Sequence, residues 1–182
     1  MLRRFLKILA GVAAGVALGA TAAPAVAQNA GALQVGQLPP DFTLPASDGK
    51  VYTLSDFRGK QAVVVAWFPK AYTYGCTIEC KSLADNGDRI RQFDVTYFMA
   101  SVDPLADIKG FADETRADFP LLSDEDKTVA RAWGVLGGSF AKRHTIYLGK
   151  DGKVLKIDTR VNPETSAEDM VENLQALGVA RR

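Results

Sequence analysis

The chain is poor in side chains that hold metals. It has one histidine, His144, and two cysteines, Cys76 and Cys80, among 182 residues. A structural zinc site wants about four nitrogen or sulfur ligands, so metal ligation is disfavoured. Neither sign of charge is in surplus, with 22 Lys and Arg against 21 Asp and Glu. No basic stripe interleaved with aromatics occurs, which argues against a nucleic-acid partner or any partner captured by charge alone. Internal repeats, linkers and low-complexity segments are also missing beyond the N-terminal leader. One domain with a sizeable core is therefore expected.

Only the first residues form a long apolar run that is not interrupted by charge. Arg3, Arg4 and Lys7 precede an apolar stretch from Ile8 to about Ala20, and Ala25-Val26-Ala27 follows. A basic start, an apolar middle and an A-x-A ending are the parts of a secretory signal peptide. Residues 1–27 are expected to be that leader, and residues 28–182 the mature domain. The alternative is a retained membrane anchor, disfavoured by the Ala- and Gly-rich composition and by Thr21 and Pro24. Loss of the three basic leader side chains takes the formal charge from +1 to −2. The expected location is outside the cytoplasm, in the bacterial periplasm, with no stable membrane insertion after cleavage.

What the sequence does contain is a concentrated chemical signal. Ala62-Val63-Val64-Val65-Ala66-Trp67-Phe68 reads as a buried strand. A turn bearing Pro69 and Gly75 then gives way to a segment that can be helical, placing Cys76 at or near a helix N-terminus. There the unpaired N–H groups and the helix dipole favour an anion. The thiolate is the reactive form of cysteine, so this location favours a nucleophilic sulfur. Cys80 lies four residues on. A disulfide between them closes a very short loop and removes little unfolded-chain entropy, so the pair reads as a working redox pair and not as a staple.

The rest of the pattern sets the fold class. Asp41–Leu44 and Val51–Leu54 alternate around Asp48-Gly49 as an N-terminal β-hairpin, and Ser55 can cap a helical turn before Gly59. A helix is expected to about Phe93, weakened near Asn86-Gly87. Val95–Val102 reads as a second buried strand, Asp103-Pro104 as a helix start, Phe119–Leu122 as extended and Asp124–Trp133 as helical. Arg143–Leu148 and Val154–Asp158 form a second hairpin. A final helix has Thr165 and Glu168 at capping-box spacing. These elements predict an α/β domain with a central mixed sheet flanked by helices.

Pro69, Thr73 and Cys76 match P-x-x-x-T-x-x-C, and Phe68-Pro69-Lys70 precedes Cys76-Thr77-x-Glu79. In these residues the chain resembles the peroxiredoxins (the AhpC/TSA superfamily), most of all the peroxiredoxin Q or bacterioferritin comigratory protein group. Asp41–Leu44, Leu54–Lys60, Phe119–Asp124 and Arg143-x-Thr145 extend the similarity through most of the mature chain. The resemblance implies a thioredoxin-like fold with an N-terminal hairpin extension. It also implies reduction of hydrogen peroxide or small organic hydroperoxides without any cofactor. Carried over, Cys76 is the peroxidatic cysteine, Thr73 and Arg143 its activating partners, Pro69 its shield and Cys80 the resolving thiol. The reductant implied is a thioredoxin-like protein or a small thiol, and the assembly a monomer or homodimer.

The sequence departs from the group in two places. The two cysteines stand as C-x3-C where C-x4-C is usual, and Tyr74 occupies a position where Pro is common. Glu79 is either a solvated first-turn carboxylate or the group that orients Arg143. His144 reads as an ordinary strand residue, Trp67 as a core residue able to line the pocket wall, and Trp133 as helix packing. Two other functions compete. A thiol–disulfide oxidoreductase of the same fold normally carries C-x-x-C and leaves Thr73 and Arg143 without a task. A non-catalytic redox-sensing module would use the pair only as a switch.

Overall fold

A computed structural model describes residues 31–182, and the expected leader and its cleavage point lie outside the described residues. Chain order begins with β1 (Thr43–Pro45), β2 (Val51–Thr53), a 3-10 turn (Leu54–Phe57), β3 (Ala62–Trp67), α1 (Tyr74–Asp85), α2 (Gly87–Ile90) and β4 (Val95–Ser101). It continues with α3 (Leu105–Thr115), β5 (Leu121–Ser123), α4 (Thr128–Ala132), β6 (Leu136–Gly137), β7 (Phe140–Ala141), β8 (His144–Leu148), β9 (Val154–Asp158) and α5 (Ser166–Ala176). The central sheet runs β5-β4-β3-β8-β9. β3 pairs in parallel with β4 and antiparallel with β8, so the sheet is mixed. Among the described residues no helix is long and apolar enough to cross a membrane.

The strand period of two divides the core into halves. Val64, Ala66 and Phe68 from the β3 segment join Tyr97 and Met99 of β4 on one face, beneath α1, α3 and α5. Val63, Val65 and Trp67 join Phe98, Ala100 and Ile146 on the other, beneath the β1–β2 hairpin and α4. β3 is buried on both faces, which explains its unbroken apolar run. Both cysteines belong to the first half-core. Trp67 belongs to the second, packed edge-on against Trp133 at 6.1 Å between ring centroids. Trp67 therefore does not line the cysteine pocket, because it sits one residue out of phase with Phe68.

Several local readings need correction. The helix expected from Asp124 starts only at Thr128, because the Asp124 carboxylate accepts the Val129 and Ala130 N–H groups at 3.1 and 2.7 Å. Lys127 between them takes a left-handed φ of 62°. Thr165 makes no cap bond, since its hydroxyl donates to Asp169 at 2.9 Å. The 3-10 turn begins before Ser55, whose N–H goes to Asp41. The weakness at Asn86-Gly87 is a full break between α1 and α2. The short β6–β7 hairpin had no recognised signal in the sequence.

Candidate active site

α1 begins where the chain leaves the β3 segment and crosses the top of the sheet. Phe68 still pairs with β4 through its N–H to the Ala100 carbonyl, and Pro69 is half-buried in the bend that follows. Thr73 is extended at the N-cap position, with φ −84° and ψ 151°. Cys76 is thus the third helical residue, within the turn whose N–H groups lack intrahelical acceptors and favour negative charge.

The bend is held from outside. The buried Asp103 carboxylate accepts the Ala71 N–H at 2.8 Å and the Ser101 hydroxyl at 2.9 Å, and pairs with Lys70 at 3.4 Å. Tyr72 adopts a left-handed φ of 64°, which disfavours most side chains. Its ring meets Phe111 edge-on at 5.5 Å, and its hydroxyl donates to the Asp107 carbonyl at 3.1 Å. Gly110 makes this fit possible, since a Cβ there would stand 2.5 Å from the Tyr72 hydroxyl. Two anchors on the β4–α3 side therefore fix the loop that presents Cys76.

Arg143 arrives from the start of β8. Its Nη2 lies 3.3 Å from the Cys76 sulfur, and its Nη1 donates to Glu79 Oε2. Gly75 leaves room for that approach, because a Cβ on it would sit 3.3 Å from Nη2. Cys76 and Glu79 are fully buried, and the Arg143 side chain is 20% exposed, so the guanidinium edge is the part that solvent reaches. Burial pushes the Glu79 carboxyl up to about 7, against the lowering pull of Arg143. Its Oε1 has no hydrogen-bond partner. Burial would lower the Arg143 pKa, but the negative groups Glu79 and Cys76 beside it reverse this and raise it.

Thr73, three residues before Cys76 at the N-cap of α1, is exposed, and its hydroxyl is engaged within the bend. It donates to the Lys70 carbonyl at 2.8 Å, which leaves its lone pairs able to accept from an incoming O–H. Cys80 is fully buried one turn along α1, with its sulfur 3.1 Å from Thr115 Oγ1. That hydroxyl donates to the Phe111 carbonyl at 2.7 Å, so it accepts the Cys80 S–H. Burial pushes the Cys80 thiol up to about 12. Both cysteines are free thiols.

The fold thus gathers Cys76, Arg143 and Glu79 into one contact chain, with Thr73 and Pro69 in the bend that leads into α1 and Cys80 one turn further along the helix. His144 opens β8 opposite Trp67, and burial lowers its pKa. Sequence reasoning missed Asp103, Tyr72 and Thr115. Asp103 had a usable signal, being a carboxylate directly after a buried strand. Tyr72 and Thr115 had none, because their roles depend on the α1–α3 contact. The unforeseen β6–β7 hairpin brings the half-exposed Phe140 ring to 5.6 Å from the Lys70 ammonium, next to the bend.

Residues 35–157 match the AhpC/TSA family. The chain is 36% identical over 146 residues to the chloroplastic peroxiredoxin Q of Populus jackii, covering 78% of this chain and 68% of that protein. It is 40% identical over 105 residues to peroxiredoxin Bcp of Escherichia coli K12, covering 58% and 67% respectively. Among solved structures, the peroxidoxin BcpB of Mycobacterium tuberculosis superposes with a TM-score of 0.71 at 31% identity, covering 79% of this chain and 97% of that one. A Xylella fastidiosa PrxQ variant shares the fold, with a TM-score of 0.76 at 22% identity over 81% of this chain and 99% of that one.

Proposed function

The chain belongs to the AhpC/TSA family and is a thiol-dependent peroxidase, and we propose that Cys76 is its nucleophile and Cys80 its resolving thiol. The observation that carries the assignment is the 3.3 Å approach of Arg143 Nη2 to the Cys76 sulfur at a helix N-terminus. A guanidinium keeps its charge at any working pH, so it stabilises the thiolate without taking the proton.

The Cys76 thiolate attacks the terminal oxygen of the hydroperoxide. The S–O bond forms as the O–O bond breaks, and the departing alkoxide or hydroxide takes up a proton. Arg143 and the free N–H groups of the first turn face the negative charge that builds on the oxygens. The lone pairs of Thr73 orient the substrate O–H, and Pro69, lacking an N–H, forms one wall of the approach. Glu79 occupies Nη1 of Arg143, which aims Nη2 at the sulfur. The Cys80 thiol then displaces water from the sulfenic acid at Cys76 and forms the disulfide.

Residues four apart on a helix keep their Cβ atoms about 5–6 Å apart, whereas a disulfide needs about 3.5–4.5 Å. The first turn of α1 therefore opens for the bond to form. We further infer, from the Arg3–Ala27 pattern, that the protein is exported to the periplasm and loses residues 1–27; a thioredoxin-like protein or a small thiol reduces it there, as monomer or homodimer. N-terminal sequencing of exported protein beginning before Ala20 would refute the cleavage. The decisive test of the activity is Cys76→Ser in a peroxide-consumption assay: turnover is expected to vanish, and retained turnover removes Cys76 from the mechanism.

A further inference from the structure

Cys80 lies where α1 packs on the end of α3, and one hydroxyl of α3 touches its sulfur. Thr115 is buried and is the last residue of α3, with Oγ1 3.1 Å from Cys80 Sγ. The helix is closed directly behind it. Arg116 takes a left-handed φ of 55°, and the Ala117 N–H returns to the Ala112 carbonyl at 2.9 Å. Lys81, one residue further along α1, is exposed, so a sulfur at that position would meet solvent and not this enclosed hydroxyl.

The direction of the contact decides its effect. The Thr115 hydroxyl donates to the Phe111 carbonyl at 2.7 Å, with the Ala112 carbonyl 3.3 Å away, so its hydrogen points back along α3. The oxygen lone pairs are left to face the sulfur. They accept from an S–H group but repel a thiolate. Burial acts the same way and pushes the Cys80 thiol up to about 12. Cys80 is therefore held as a neutral thiol by its partner as well as by its surroundings.

We propose that Thr115 is a positioning residue for the resolving step: its hydroxyl keeps Cys80 seated in α1 as a thiol and so delays the disulfide. The inference rests on the assignment of Cys76 and Cys80 made above. In that step Cys80 gives up its proton and its sulfur attacks the sulfenic sulfur of Cys76. The S–S bond forms as the S–O bond breaks, and the departing hydroxide takes up a proton to leave as water. The Cys80 sulfur is oxidised and the Cys76 sulfur reduced. Helical spacing holds the two Cβ atoms too far apart for this bond, so α1 unwinds and Cys80 comes off Thr115. The hydrogen bond thus stabilises the closed helix and not the opened one.

The test mixes reduced protein rapidly with one equivalent of hydrogen peroxide. Quenching at successive times and intact-mass analysis then follow the sulfenic acid and the disulfide separately. Thr115→Val keeps the branched shape and removes the acceptor. Conversion of sulfenic acid to disulfide should become about threefold faster, at the lower end of what one hydrogen bond is worth because S–H is a weak donor. Thr115→Ser removes a methyl group, keeps the hydroxyl and should convert at the parental rate. An unchanged rate in the valine variant overturns the proposal. A slower one does so too, because the hydroxyl would then be turning to activate the thiolate. Equal acceleration in both variants also overturns it, since the effect would follow lost packing. Absence of a Cys76–Cys80 disulfide in the unsubstituted protein removes the resolving assignment itself, and this inference with it, before any variant is compared.

Discussion

Glu79 offers a sharp test of the electrostatics at the cysteine. It is a fully buried carboxylate with one oxygen bonded to Arg143 and the other bonded to nothing. Its folded pKa is about 7 against an ordinary 4.5, so burial outweighs the ion pair. Between these two values the folded chain holds a proton that the unfolded chain has released. Stability must then fall as pH rises through this window, and the contribution present below about pH 4.5 is lost above about pH 7. The shift corresponds to about 3 kcal/mol, and the complete burial of the group leaves no solvent screening to reduce it.

Glu79→Gln keeps the shape and one acceptor for Nη1 but does not titrate. Urea unfolding of both proteins from about pH 4.5 to about pH 8, in a Cys76→Ser background that removes the neighbouring sulfur, isolates the difference. All other titrating groups are common to the pair and cancel. The variant should gain about 3 kcal/mol relative to its parent across that range. A difference independent of pH would refute the reasoning. So would a parent that gains on the variant as pH rises, because the Arg143 attraction would then exceed the cost of burial.

Two further substitutions separate stability from chemistry. Gly75→Ala places a methyl group 3.3 Å from Arg143 Nη2, while a helical Gly→Ala change is worth up to about 1 kcal/mol. Unfolding experiments should show equal or greater stability, and stopped-flow mixing with peroxide about tenfold slower Cys76 oxidation; an unchanged oxidation rate would mean that the guanidinium contact does not matter. Cys80→Ser should leave the first oxidation intact and abolish the disulfide, so intact-mass analysis should find one, then two or three oxygens added at Cys76. A disulfide-linked dimer through Cys76 in the unsubstituted protein would remove Cys80 from the resolving role.

Most of the fold could be read along the chain because its strongest signals are local. The apolar run of β3, the alternation of β1 and β2, and the Asp-Pro start before α3 depend on neighbours within a few residues. The cysteine pair at the start of α1 was readable for the same reason. Arg143, 67 residues from Cys76, was visible only through family resemblance, since nothing local distinguishes it from a surface arginine. The two readings of Glu79 could not be separated without knowing which side of α1 faces the sheet. The shortened α4 and the uncapped α5 failed because Asp124 and Thr165 had alternative partners, which spacing rules cannot rank.

The departure from the usual cysteine spacing has a geometric consequence. At about 100° per residue, an i+4 sulfur lies about 40° around the helix from Cys76, while an i+5 sulfur lies about 140° away. C-x3-C therefore turns both sulfurs toward the same half-core, and each is fully buried. The cost falls on Cys80, whose thiol is pushed up to about 12 and donates to Thr115 in place of ionising. In the folded helix this thiol is a poor nucleophile. Unwinding α1 from its start through Cys80 would relieve both obstacles together, since it would let the sulfurs approach and free Cys80 from its apolar surroundings. If Cys80 resolves the Cys76 sulfenic acid, loosening the anchors that resist that opening, Asp103 on Ala71 and Tyr72 on α3, should shorten the lifetime of that acid in stopped-flow oxidation.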